Sequence, residues 1–109
     1  TPLHYASYNG HIEVVKYLVE QCHANVDTRN SHGYTPLHSA SIRGNIEVVK
    51  YLVEQCHANV ETKASNGHTP LRDASDRGKT RVARYLIEQC HANVDSLDYR
   101  EQEYDMSIF

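Results

Sequence analysis

No apolar run in this 109-residue chain approaches the roughly 20 residues that a membrane-spanning helix needs. There is no basic excess either. The 11 Lys and Arg stand against 14 Asp and Glu, and the formal charge of −3 has the wrong sign for nonspecific attachment to nucleic acid. The three cysteines are an odd number. That disfavours a closed disulfide framework and fits a reducing, intracellular and cytoplasmic setting. No secretory leader is recognisable, and the chain opens on Thr1 in place of Met, as an excerpt of a longer protein would. The length suits one domain.

What the chain does have is internal repetition. Thr1-Pro2-Leu3 recurs as Thr35-Pro36-Leu37 and Thr69-Pro70-Leu71, at a spacing of 34 residues. Gln21 to Val26 returns unchanged as Gln55 to Val60 and as Gln89 to Val94, and Ile12 to Val26 is identical to Ile46 to Val60. In-phase recurrence of this kind is the signature of stacked supersecondary units.

Each unit predicts two short helices and a turn. Thr35 is placed to cap the first helix, with Pro36 at the first helical position, where a missing N–H costs nothing. Leu37 and Ala40 begin an inward face, and Gly44 supplies the left-handed residue that ends the helix. In the second helix Ile46, Val48, Val49, Tyr51, Leu52, Val53 and Cys56 are apolar, while Glu47, Lys50 and Glu54 form one narrow polar stripe. Such a helix needs cover on nearly every side, which neighbours on both flanks provide. The Glu13-Lys16-Glu20 and Glu47-Lys50-Glu54 stripes are expected to be solvated, with weak ion pairs along the helix.

These residues resemble the ankyrin repeat. The carriers are Thr1-Pro2-Leu3-His4 and Thr35-Pro36-Leu37-His38, the Gly10-His11 and Gly44-Asn45 junctions, and Val14-Val15 with Leu18. The period is one residue longer than the family's 33, and the surplus lies in Gln-Cys-His-Ala-Asn. Arg72 stands where the motif histidine is expected. The resemblance implies an all-α solenoid of helix-turn-helix units with short hairpin loops. Its expected boundaries are repeats 1–34, 35–68 and 69–94 with the start of a further hairpin, then a tail or cap over 95–109. Tyr104 and Ile108, four residues apart, suit a terminal helix in that last stretch.

Repetition also weighs on the chemistry. The pairs Cys22-His23, Cys56-His57 and Cys90-His91 invite a metal reading. Equivalent positions of stacked helices lie about 8–10 Å apart, whereas zinc ligands converge to about 2.0–2.3 Å and a disulfide needs Cα atoms within about 7 Å. No metal, cofactor or catalytic centre is expected, since catalysis needs one special constellation and not three equivalent ones. His4 and His38, three residues after a capping Thr, are expected to orient the helix start.

Function is expected where the copies diverge. On the first helices these positions are Tyr5 and Tyr8, then Ser39, Ile42 and Arg43, then Asp73, Asp76 and Arg77. In the loops they are Arg29, His32 and Tyr34, then Lys63, Asn66 and His68. They match the positions that ankyrin repeats turn towards partners, so the resemblance implies a non-catalytic scaffold that binds a protein or peptide on its concave side. Arg29, Arg43, Lys63 and Arg77 suggest an acidic partner, and the tyrosines suggest an apolar anchor on it. Neither nucleic acid nor a membrane is expected as partner, and the chain is expected to be a monomer or part of a larger array. The other readings are a structural spacer in a longer array and the targeting module of an enzyme whose catalytic part lies elsewhere.

Overall fold

The computed structural model describes residues 1–97. In chain order the elements are α1 (Pro2–Tyr8), α2 (Ile12–Glu20), α3 (Pro36–Arg43) and α4 (Ile46–Lys50), which runs on into a π-helical turn at Tyr51–Gln55. They are followed by α5 (Pro70–Asp76), α6 (Thr80–Glu88) and a single 3-10 turn at Val94–Ser96. Among the described residues there is no strand, and the architecture is an all-α solenoid. The tail expected beyond this point, with Tyr104 and Ile108, lies outside the described residues.

Each first helix begins as the sequence predicts. The Thr1, Thr35 and Thr69 hydroxyls accept the backbone N–H of His4, His38 and Arg72 at 3.2, 3.4 and 3.2 Å. Proline follows at the first helical position in all three. At the far end of α3, Gly44 adopts φ +73°, and an added Cβ would come within 2.9 Å of the Lys79 side chain. Glycine suits that left-handed backbone without strain, and a side chain there would also have to displace Lys79.

The second helices end in an unusual way. The amides of Cys22, Cys56 and Cys90 each bond the carbonyl five residues back, on Tyr17, Tyr51 and Tyr85, at 3.3 Å. The amides of Ala24, Ala58 and Ala92 reach six residues back, to Leu18, Leu52 and Leu86, at 3.0, 2.9 and 2.8 Å. The usual left-handed helix stop closes a ring one residue smaller. The widened ring takes up the extra residue of the 34-residue period, and the residue inside it, His23, His57 or His91, sits at φ 55°, 56° or 54°.

First helices stack as α1 on α3 on α5, and second helices follow as α2, α4 and α6. Leu3, Leu37 and Leu71 from the first row meet Val15, Val48, Val49, Leu52, Val82 and Leu86 from the second in one continuous core. Glu47, Lys50 and Glu54 are exposed, as expected of the polar stripe. Copy one departs from the pattern. Val14 and Tyr17 of α2 are exposed, because among the described residues no helix pair lies on that flank.

Candidate protein-binding face

The stack presents two surfaces. One carries the first helices and the loops between copies. The other carries the polar stripes of the second helices.

Histidine ties the first surface together. His38 Nδ1 accepts the Thr35 amide at 3.1 Å and lies 2.9 Å from the Thr35 hydroxyl, while Nε2 donates to the His68 carbonyl at 2.8 Å. His4 repeats this arrangement, with the Thr1 hydroxyl 2.7 Å from Nδ1 and Nε2 donating to the Tyr34 carbonyl at 2.7 Å. The ring thus orients its own helix, as expected, and also fastens that helix to the end of the loop that leads into the next copy. At His38, whose Nδ1 accepts an amide, only the neutral tautomer protonated at Nε2 serves both ends. Burial holds the pKa of both imidazoles below the ordinary 6.5, partly opposed by the bonds to the loop carbonyls.

The loops also bond to each other. The Ser65 amide donates to the His32 carbonyl at 3.0 Å. An added Cβ on Gly33, at φ +79°, would lie 2.8 Å from the Ser65 nitrogen, so the backbones touch there. Arg29 donates to the carbonyls of Gly33 and Lys63 at 3.0 and 2.7 Å and to the Thr62 hydroxyl at 2.8 Å. Its guanidinium is a loop-to-loop clamp. Tyr34 packs edge-on against His38 with centroids 5.4 Å apart, and its hydroxyl accepts from Asn66 at 2.9 Å. His32 and Lys63 are exposed, while Tyr34 and His68 are half-buried.

Divergent first-helix positions separate into two groups. Ser39 and Asp73 are buried. Asp73 Oδ1 meets His68 Nδ1 at 2.9 Å, and Asp76 pairs with Arg72 at 2.9 Å. Tyr8, Arg43, Asp76 and Arg77 are exposed and Ile42 is half-buried. The Arg43 guanidinium lies over the Tyr8 ring, 4.6 Å from its centroid, and bridges copies one and two. Beneath this stack the Asn45 side chain donates to the Ser7 and Tyr8 carbonyls, both at 2.8 Å, closing the end of α1 from the neighbouring copy. The sequence marks Asn45 only as part of the Gly44-Asn45 junction and not as a donor between copies.

On the opposite surface the stripes are more than solvated. The Tyr51 and Tyr85 hydroxyls donate to Glu20 and Glu54 of the preceding copy at 2.7 and 2.5 Å. Lys16 and Lys50 of that same preceding copy lie 5.9 and 5.7 Å from the two ring centroids. Desolvation, then the glutamate bond, drives both tyrosine pKa values up. Burial also raises the neighbouring Cys56 and Cys90 thiols, against a smaller opposing effect of the tyrosine hydroxyls. That depletes the thiolate form needed for nucleophilic or metal-binding chemistry. Among the described residues the cysteines are free, and no group of three or more His, Cys, Asp or Glu is placed to hold a metal ion. No described helix is long and apolar enough to cross a membrane.

A family model for ankyrin repeats in three copies matches residues 3–98. The chain belongs to the ankyrin-repeat family, whose members are protein–protein interaction modules. No curated protein matches the sequence. Among solved structures it is similar to a chain in the complex of the yeast ribosomal protein Rps3 with its chaperone Yar1. That match has 34% identity and a TM-score of 0.78, over 84% of this chain and 67% of the other. It is also similar to a chain in the complex of the predatory endopeptidase Bd0816 of Bdellovibrio bacteriovorus with the immunity protein Bd3460. There the identity is 34% and the TM-score 0.82, over 87% of this chain and 48% of the other, so this chain spans about half of that one.

Proposed function

We propose that this chain is a non-catalytic scaffold that binds a protein segment across its first helices and loop tips, and that the segment is acidic beside an apolar anchor. The observation that carries this reading is the exposed Arg43–Tyr8 stack, 4.6 Å from guanidinium to ring. It joins a cation to an aromatic ring, two of the residue types enriched in binding hot spots. The charge around it favours an anionic partner. Asp73 is buried against His68, and exposed Asp76 is paired with Arg72, beside exposed Arg43 and Arg77. The two solved structures named above are each complexes of two proteins, which supports a binding role without naming a partner for this chain.

A peptide-display screen against the intact chain, at low and high salt, tests this. Selected peptides should be acidic with an aromatic or aliphatic residue. Salt should weaken them, because exposed charges are screened beyond about 8 Å at physiological strength. Arg43→Glu and Tyr8→Ala should each abolish capture. Selection of basic peptides, or capture indifferent to salt and to Arg43→Glu, would refute the reading.

A further inference from the structure

The turn between the two helices of each unit carries three polar positions whose charge changes from copy to copy. With histidine neutral, Asn9, His11 and Glu13 give copy one −1, Arg43, Asn45 and Glu47 give copy two zero, and Arg77, Lys79 and Arg81 give copy three +3. Arg77 and Arg81 are exposed and Lys79 is half-buried, the pattern that Arg43, Glu47 and Asn45 show in the internal copy. This exposure therefore belongs to the turn and not to an end of the stack.

Among the described residues no carboxylate pairs with these three cations. The acids of the same copy are engaged elsewhere: Asp73 by His68, Asp76 by Arg72 and Glu88 by Arg84. Arg81 also stands against the helix that it begins. α2 and α4 carry Glu13 and Glu47 in their first turns, where the positive end of the helix dipole favours an acid, and α6 carries no acid there. A glutamate would be the more stable choice, and giving up stability at a surface position is a trade that function makes.

The cluster is continuous with the Tyr8–Arg43 stack. The Lys79 stem lies over Gly44, the residue after Arg43, so closely that an added Cβ would meet its Cδ at 2.9 Å. Arg77 holds the place of Arg43 one copy further on. Neighbouring helices lie about 8–10 Å apart, a distance that an extended segment covers in about three residues.

We propose that the acidic part of the bound segment continues past Arg43 onto Arg77, Lys79 and Arg81. The apolar anchor then sits at Tyr8, and the main run of carboxylates begins about three residues further along the segment. This rests on the protein-binding reading above and adds a register to it, with apolar contact over copies one and two and charge over copy three.

Copy two supplies the control. Lys79→Asn combined with Arg81→Glu gives copy three the residues of the copy-two turn and leaves Tyr8 and Arg43 in place. The probe is a fluorescein-labelled peptide of one tryptophan, two glycines and four glutamates, followed by anisotropy on the full chain. At low salt the double variant should bind it about tenfold more weakly than the wild type, and added salt should narrow the gap. The same peptide with glutamine for glutamate should bind both proteins alike. Circular dichroism checks the fold, and the urea midpoint of Arg81→Glu should rise, so that lost binding is not lost structure. Equal affinity of wild type and double variant for the glutamate peptide, with Arg43→Glu still abolishing binding, overturns the register and leaves the scaffold reading standing. Indifference to Arg43→Glu overturns the scaffold reading and this inference with it. A single-stranded oligonucleotide that binds more tightly than the peptide, and is lost in the double variant, reassigns the cluster to nucleic acid and also overturns the proposal.

Discussion

Replacing His57 by glycine should make the protein more stable. His57 holds φ +56° in the widened ring that ends the second helix of copy two. A left-handed residue bearing a Cβ costs about 1–2 kcal/mol, although histidine is among the types that tolerate the region better than most. The side chain is exposed, so its removal sacrifices little packing. Against the relief stands the greater freedom of glycine in the unfolded chain, about 0.4–1 kcal/mol. The net expectation for His57→Gly is a gain of about 0.5–1 kcal/mol. His57→Val should lose about 1–2 kcal/mol, because a β-branched residue fits this backbone worst. His23 and His91 occupy the same ring one repeat away on either side. Sites that far apart are close to additive, so the triple glycine variant should gain about 1.5–3 kcal/mol. Urea titration followed by circular dichroism and by tyrosine fluorescence measures this, provided that the two probes coincide and the slope is unchanged. A destabilised His57→Gly with a neutral His57→Val would show that the imidazole makes a supporting contact, and the strained-terminus argument would fail.

Leu52, fully buried at the centre of the core, should cost about 2–5 kcal/mol on truncation to Ala, while Glu47→Ala on the exposed stripe should lie within about 0.5 kcal/mol of the parent; equal shifts in the urea midpoint would break the stripe assignment. Asn45→Ala removes two bonds to the Ser7 and Tyr8 carbonyls and should cost about 1–2 kcal/mol, read from the same titration. The folded pKa values of His4 and His38 lie below 6.5, so the unfolded chain binds more protons as the pH drops beneath that value. Their stabilising contribution is whole above 6.5 and is lost as the pH falls towards and through the folded values. The urea midpoint should therefore fall on acidification below 6.5, and less steeply in His38→Gln. Alkylation without reductant should modify all three thiols of the unfolded chain.

The stack itself was legible because its determinants are local. A Thr-Pro pair starts a helix, Gly44 stops one, and an apolar helix with a single polar stripe demands flanking neighbours. None of these depends on knowing what lies across a junction. The surplus residue in Gln-Cys-His-Ala-Asn was visible too, but not its conformation, since a ring closed five and six residues back has no composition of its own. The inter-copy contacts were hidden for a related reason. Tyr51 and Glu20 lie 31 positions apart, and each looks complete within its own helix, one as an apolar position and the other as a solvated charge. Their pairing could have been found in the recurrence of the same separation between Tyr85 and Glu54.

Divergence among copies proved to have more than one cause. Tyr8 and Arg43 vary and lie exposed in mutual contact, as a partner-facing reading requires. Ser39 and Asp73 also vary, but they are buried, and Asp73 answers to His68 in the adjoining loop. Arg29 varies because copy one has a second loop to clamp, at Thr62 and Lys63. A repeat fixes what each unit must do for itself and leaves free both what faces a ligand and what faces an unequal neighbour. Tyr5 varies too, and it is exposed where Ser39 and Asp73 are buried. Exposure compared copy by copy, more than variability, separates a surface for a foreign segment from one shaped for another repeat.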